Sequence, residues 1–525
     1  MSMAICDFFC YNKFIAILAR DLHHYNKYIG ESDMKYRSTR GSNEIKTAAQ
    51  AIIKGIAEDR GLYVPDEIPK LDVDPAELTE MNYRQVAFLV LSKFLTDYTD
   101  EELHYCIDHA YDSKFEAAEV VPIVKAGDAW FLELYHGPTA AFKDMALSIL
   151  PYLLTTAMKK EKEDKKIAIL TATSGDTGKA ALEGFADVEN TEIIVFYPKD
   201  GVSRVQAMQM ITQEGANTHV YGIDGNFDDA QTGVKNIFGD REFAEELAAK
   251  GYKLSSANSI NIGRLVPQVA YYVWAYVRLI QQGAIKSGEA INVVVPTGNF
   301  GNILAAYYAA KMGIPVGKFI CASNENKVLT DFIRSGVYDS DRDFYITSSP
   351  SMDILISSNL ERLLYHLSGG SGEVITSLMS SLDKQKKYEV NDRIRSGLAD
   401  FHGGFADEEA TLETIGRMYT ENCYLMDTHT AVGYKVYQDY RKSTGDETPT
   451  VIASTASAYK FADSVAGAVG LPEEADDGFA AIRTLHEMTK VNIPSGLAGL
   501  ENKEILHEKT LKKDGMREAV KLSLR

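Results

Sequence analysis

The stretch His136–Leu150, H-G-P-T-A-A-F-K-D-M-A-L-S-I-L, decides how the rest of this chain is read, and Lys143 is its reactive residue. Lys143 follows an apolar run that ends in a Gly-Pro turn. It precedes a long apolar helical stretch, Met145 to Met158, a setting that predicts burial at or near a helix start. Burial disfavours the ammonium form, and a lysine without its extra proton is an amine able to form a Schiff base with a carbonyl compound. On composition alone most lysines are solvated surface groups or ion-pair partners. The chemistry therefore depends on what surrounds position 143.

Beyond Lys143 the pattern repeats as strand, Gly-rich turn, helix. Ile167 to Ala172 ends in S-G-D-T-G, Ile193 to Tyr197 in P-K-D-G, and Thr218 to Ile223 in D-G-N; a second series is Ile291 to Val295, Lys318 to Ala322 and Val451 to Ser454. These runs are apolar throughout, as strands covered on both faces are. Helical stretches between them imply right-handed crossovers. The expected fold is α/β: two mostly parallel open sheets flanked by helices, with ligands held between them at the carboxyl ends of the strands.

Four segments are expected. Residues 1–33 form an extension outside the fold, and 34–130 an N-terminal helical unit with helices at Glu44 to Ala57, Met81 to Phe94 and Asp100 to Tyr111. Residues 131–290 form a first α/β unit, and 291–525 a second, larger one with C-terminal helices. The interval Asp339 to Gly404 reads as helices and loops, and the tail beyond Leu471 receives no chemistry. In the extension, Phe14 to Ala19 is too short and interrupted for a membrane span and lacks the layout of a secretory signal. Met34 reads as the natural start, or the extension as dispensable.

The chain has 525 residues, 45% hydrophobic and 25% charged, values of a globular protein with an ample core. Its 74 acidic against 55 basic residues give a net charge of -19, which argues against a nucleic-acid partner because phosphate backbones demand a basic surface. The five cysteines, Cys6, Cys10, Cys106, Cys321 and Cys423, are odd in number and scattered, which fits reduced thiols in a cytoplasmic protein. None has partners at zinc spacing, so no metal is expected.

Four further segments can carry chemistry. P-T-G-N-F-G-N, Pro296 to Asn302, leaves a strand and enters a helix: its glycines let a ligand approach the backbone, and the helix start offers free N–H groups and partial positive charge to an anion. It matches neither the dinucleotide fingerprint nor the nucleotide phosphate loop. T-S-G-D-T-G has the same setting with added hydroxyls, although Ser174, Asp176 or Thr177 could equally cap the helix. In S-A-N-S-I-N-I-G-R, Ser256 to Arg264, Arg264 supplies a planar fork suited to phosphate and Asn258 a neutral donor. Thr455, at a strand end in S-T-A-S-A-Y-K-F, presents a hydroxyl that either meets a ligand or bonds backbone.

These motifs together resemble the threonine synthases, pyridoxal-phosphate enzymes of the tryptophan-synthase-β-like class. The signature H-G-P-T-x-x-F-K-D is matched by His136, Gly137, Pro138, Thr139, Phe142, Lys143 and Asp144, and the similarity runs from about Met34 onward. The resemblance implies pyridoxal 5'-phosphate bound through Lys143, its phosphate cradled by Gly298, Asn299, Phe300, Gly301 and Asn302, and its ring nitrogen met by the Thr455 hydroxyl. It implies that Ser174, Gly175, Asp176 and Thr177 hold the substrate carboxylate, and that Thr173, Thr177, Asn258 and Arg264 hold the substrate phosphate. His136 would help orient the ring, whereas His429 in D-T-H-T-A-V-G-Y reads as structural.

The chain departs from its relatives at two places. Many members of the wider class have Asn where Asp176 stands, and Ser454, Ser457 and Ala458 depart from the G-T-A-H-P that relatives carry around Thr455. The implied reaction takes O-phospho-L-homoserine and water to L-threonine and phosphate, with Lys143 as general base and acid at the α and β carbons. A phospho-lyase or threonine dehydratase yielding 2-oxobutyrate, and a ligand-binding protein without turnover, are the alternatives. A monomer or homodimer in the cytoplasm, with no membrane association, is expected.

Overall fold

The all-apolar runs become buried parallel strands. The structure, a computed structural model, describes residues 33–173, 175–471 and 478–524. The extension before residue 33 lies outside the described residues, as do Cys6, Cys10 and Ser174. A six-stranded sheet has the order Phe401–Phe405, Val316–Ser323, Ile291–Pro296, Thr450–Ser454, Ala129–Glu133, Ile123–Ala126, parallel except for the last pair. A five-stranded sheet, parallel throughout, has the order Thr510–Lys512, Thr218–Asp224, Thr191–Pro198, Lys166–Ala172, Tyr252–Ser255. Every residue of Ile291–Pro296 and Thr450–Ser454 is buried, as central strands covered on both faces require.

The helix Ile262–Gln281 is nearly all buried and packs against the helices Gly301–Met312 and Tyr83–Phe94. Such a helix is apolar all round because it has no solvent face to serve. Trp274 on it donates to the Val121 carbonyl at 2.8 Å, which satisfies the indole N–H inside the core.

Four expectations are corrected. The N-terminal segment does contain helices, at Ala48–Lys54, Tyr83–Phe94 and Asp100–Ala110, but also an antiparallel sheet of Ile45–Lys46, Tyr36–Ser38 and Tyr63–Pro65. Strands of two or three residues are too short to show alternation. The stretch Met145 to Met158 is not one helix but two, Asp144–Leu147 and Leu150–Lys160, because Pro151 has no N–H to continue the ladder.

The interval Asp339 to Gly404, read as helices and loops, runs into the edge strand Phe401–Phe405. Its glycines are there for close packing: a Cβ on Gly404 would lie 2.5 Å from Val436. The tail, to which no chemistry is assigned, adds a strand to the smaller sheet, since Thr510–Lys512 pairs with Thr218–Asp224. Finally, the boundary at residue 131 falls inside a strand. Ala129–Glu133 pairs with Thr450–Ser454, and Thr510–Lys512 joins the smaller sheet, so the contiguous division 131–290 and 291–525 does not follow the sheets.

Among the described residues no helix is long and apolar enough to cross a membrane, and no cluster of His, Cys, Asp or Glu could hold a metal ion. Of the cysteines, Cys106 and Cys321 are buried and Cys423 is exposed.

Candidate active site

Three neighbouring strands of the larger sheet, Ala129–Glu133, Thr450–Ser454 and Ile291–Pro296, all point their carboxyl ends the same way. Their exit loops carry His136 to Lys143, Thr455 and Gly298 to Asn302 respectively. The first two loops are stitched together: the Phe142 amide donates to the Thr455 carbonyl at 2.8 Å, and Ala141 bridges Ala456. Lys143 thereby sits at the N-cap of the short helix Asp144–Leu147 and is only 8% exposed.

Its Nζ donates to Asp176 Oδ2 at 3.3 Å and to Ser351 Oγ at 3.1 Å, and lies 5.0 Å from the centre of the Phe142 ring. Burial lowers the basicity of Lys143; Asp176 opposes that, while the cations Lys460 and Arg264 add to it. The adjacent Asp144 turns the other way. It accepts from the Thr139 amide at 2.8 Å and from the Thr139 hydroxyl at 2.6 Å, and burial raises its carboxyl to about 6.

Asp176 opens the helix Asp176–Phe185 beyond the smaller sheet's strand Lys166–Ala172, so this loop faces Lys143 from the opposite sheet. Gly175 before it has φ +135°, and a Cβ there would strike the Gln206 side chain at 2.6 Å. Burial pushes the Asp176 carboxyl up, but Lys460 and Lys143 outweigh it and hold the group well below the usual carboxylate range. Thr173 is committed to the turn, its hydroxyl accepting from the amides of Gly175 at 3.0 Å and Gly178 at 2.9 Å. Thr177 is half-buried in the first turn of the helix.

The turn Gly298 to Asn302 feeds the helix Gly301–Met312, with Phe300 left-handed at φ +62°. The first helical N–H groups have no intrahelical partner, the ordinary state of a helix start. Asn302 Nδ2 is buried with no partner, its Oδ1 being taken by the Tyr272 hydroxyl. Nearby backbone is locked in place: Asn359 donates to the Asn299 carbonyl through its amide at 3.1 Å and its Nδ2 at 2.9 Å. Arg264, in the first turn of Ile262–Gln281, is 3% exposed; one arm donates to the Ala257 carbonyl at 3.0 Å, while its Nε has no partner. Burial lowers the Arg264 guanidinium to about 10. Asn258, half-buried six residues before it, engages the Ser256 hydroxyl through its own amide at 3.2 Å.

The helix start with free amides and the orphaned Asn302 N–H make a donor set without protein acceptors, and the orphaned Arg264 N–H offers a second donor elsewhere. An anion such as the phosphate of pyridoxal 5'-phosphate fits that donor set, and the amine of Lys143 fits the aldehyde of that molecule.

Three site residues, Ser351, Gln206 and Lys460, were given no role from the sequence. Ser351 comes from the interval read as loops; its Oγ touches Lys143, and its carbonyl lies 2.3 Å from where a Cβ of Gly298 would be, so it closes the distance between the two motifs. His429 holds it there, its Nε2 accepting from the Ser351 amide at 3.1 Å while Nδ1 donates to Asp427 at 2.9 Å. His429 is structural as expected, but what it supports is the site. His136 engages Glu133 at 2.8 Å. The remaining two, Gln206 and Lys460, both bind Asp176, at 3.1 and 3.0 Å. Lys460 lies five residues after Thr455 in a motif quoted for its threonine, and a lysine in an apolar context was the available signal.

Three family models match in order: threonine synthase N terminus over residues 35–111, pyridoxal-phosphate dependent enzyme over 117–456, and threonine synthase, C-terminal, over 430–513. The chain is 40% identical over 441 residues to threonine synthase-like 1 of Homo sapiens, covering 82% of this chain and 58% of that protein. It thus spans little more than half the length of those relatives. It is 38% identical to threonine synthase of Pseudomonas aeruginosa, covering 82% of this chain and 90% of that one. Among solved structures, the PLP-bound threonine synthase from Brucella melitensis superposes with a TM-score of 0.82 at 34% identity, covering 94% of this chain and 100% of that one. The yeast threonine synthase does so with a TM-score of 0.83 at 33% identity, covering 94% and 99%.

Proposed function

The chain belongs to the threonine synthases within the pyridoxal-phosphate dependent enzymes, and on that premise we propose that it converts O-phospho-L-homoserine and water to L-threonine and phosphate. The observation that carries this reading is the position of Lys143. Its buried amine lies between a helix start that offers unpaired donors and a loop of the opposite sheet, one contact from each.

Gly298, Asn299, Phe300, Gly301 and Asn302 would hold the cofactor phosphate through the first amides of Gly301–Met312 and the spare Asn302 N–H. Thr455, fixed beside Lys143, would meet the ring nitrogen with a neutral hydroxyl. When bound, the cofactor supplies an electron sink for the carbon framework of the substrate. Arg264, with Asn258 and Thr177, would receive the substrate phosphate, since Arg264 bonds a backbone carbonyl and keeps a spare N–H. The Gly175 to Thr177 turn would hold the substrate carboxylate. Lys143, low in basicity, takes the proton from the α carbon and delivers and removes protons at the β carbon, work that needs an amine able to exist in both forms near neutrality.

Two anions, one on the cofactor and one on the substrate, need two cradles. The Gly298–Asn302 turn and the Arg264 region supply them. The test is phosphate release from O-phospho-L-homoserine by the cofactor-loaded protein, with the organic product identified. L-threonine supports the proposal; 2-oxobutyrate as the main product assigns the site to dehydration, and no release removes the substrate assignment.

A further inference from the structure

Lys460 presents an ammonium that no mobile molecule can reach. Its side chain is fully buried, and its three N–H donors are all spent, on the Thr139 carbonyl at 2.9 Å, Gln209 Oε1 at 3.0 Å and Asp176 Oδ1 at 3.0 Å. An uncompensated buried cation is expensive, so this one persists because Asp176 stands against it. Asp176 in turn divides its oxygens: Oδ1 takes Lys460 and Gln206, while Oδ2 faces Lys143. The carboxylate lies in the loop assigned above to an anionic substrate group, where a free negative charge would repel the ligand.

We propose that Lys460 is a positioning residue that neutralises Asp176 from behind, so that the loop accepts an anionic substrate and Lys143 is left without a full counter-ion. The inference rests on the reading of the site given above. The charged groups around Lys143 are Asp176 on the helix Asp176–Phe185, Lys460 on the turn after Thr455, and Arg264 on the central helix. Asp144, next in sequence, is turned to Thr139, and His429 faces Asp176. One carboxylate is thus set against two fixed cations besides Lys143 itself. Removing Lys460 leaves the carboxylate to act on Lys143 alone, which favours the protonated form there. Removing the carboxylate does the reverse.

Two readouts on the full chain avoid any dependence on substrate. One is the pH midpoint of the visible absorbance of the cofactor-loaded protein. The other is the pH midpoint for acylation of Lys143 by an amine reagent in the cofactor-free protein, followed by peptide mass spectrometry. Lys460→Met is expected to raise both midpoints by about one unit, a tenfold change in proton affinity typical of losing one compensating charge. Lys460→Arg should stay close to the parent, and adding Asp176→Asn to Lys460→Met should bring the midpoints back down. Midpoints that coincide in Lys460→Met and the parent overturn the proposal. Should Lys460→Met fail to fold, Asp176→Asn alone decides: its midpoints must fall, and unchanged or raised values overturn the idea. Because neither readout involves O-phospho-L-homoserine, failure of that substrate leaves this test intact.

Discussion

Gly298→Ala probes the closest backbone approach in the site. A Cβ at 298 would lie 2.3 Å from the Ser351 carbonyl oxygen, whereas ordinary contact begins at 3.4 Å. Something must move by about 1 Å, and since the obstacle is backbone, no change of rotamer relieves it. The segment that yields first is the one carrying Ser351. Its Oγ contacts Lys143 at 3.1 Å, and its amide is held by His429 at 3.1 Å, so a shift of that size takes both beyond hydrogen-bonding range. Overpacking of this kind costs about 1–3 kcal/mol. If the cost falls on the state that binds cofactor, affinity drops by roughly 5- to 150-fold at 1.4 kcal/mol per decade. The assay is titration of the cofactor-free protein with pyridoxal 5'-phosphate, followed by visible absorbance. Gly301→Ala serves as the comparison for protein packing, because its Cβ would find nothing closer than 3.5 Å; its thermal stability without cofactor should match the parent. A Gly298→Ala protein that binds cofactor within twofold of the parent refutes the reasoning.

Lys143→Ala should abolish the visible absorbance band of the cofactor-loaded protein and lower turnover by at least about 10²–10⁴, the usual contribution of a general acid–base group; an unchanged spectrum would show that the amine makes no bond to the cofactor. The folded protein keeps the Asp144 proton up to about pH 6, whereas an unfolded chain releases it near 3.8, so folding takes up a proton in that window and the Asp144 contribution weakens stability as pH rises through it. Replacing it, Asp144→Asn, should change the stability difference from the parent by about 2 kcal/mol between pH 4 and 7, in favour of the variant as pH rises; thermal melts across that range measure it, and a constant difference rejects the assignment. Thiol labelling at neutral pH should modify Cys423 quickly and leave Cys106 and Cys321 protected, since burial pushes both of those thiols up to about 12; mass spectrometry of the labelled peptides reads the order.

What the sequence revealed of this fold was set by burial on two faces. Ile291–Pro296 and Thr191–Pro198 are legible because a strand covered on both sides is mostly apolar rather than alternating. Phe401–Phe405 is not, because it lies at the sheet edge and needs glycine where Thr330 and Val436 press on it. The short antiparallel strands near Tyr36 and Tyr63 left no periodicity to read.

The same division runs through the site. Lys143, Asp176 and the Gly298–Asn302 turn stand in contiguous motifs whose residue types announce their chemistry. Ser351 and His429 act through partners 208 and 78 residues away, and Lys460 through Asp176, far earlier in the chain; nothing local marks such a partnership. The separation has a physical origin. A reactive amine must be desolvated, and the walls that exclude water come from whichever segments the topology brings to the carboxyl ends of two sheets. Once buried there, Asp176 cannot remain charged unless a cation is buried with it, so the choice of aspartate at 176 and the presence of lysine at 460 are one decision made at two distant places in the chain. An asparagine at 176 would free position 460 from carrying charge. The pair therefore ought to change together or not at all, and a chain of this fold with lysine at 460 opposite asparagine at 176 would need another buried anion within reach of that ammonium.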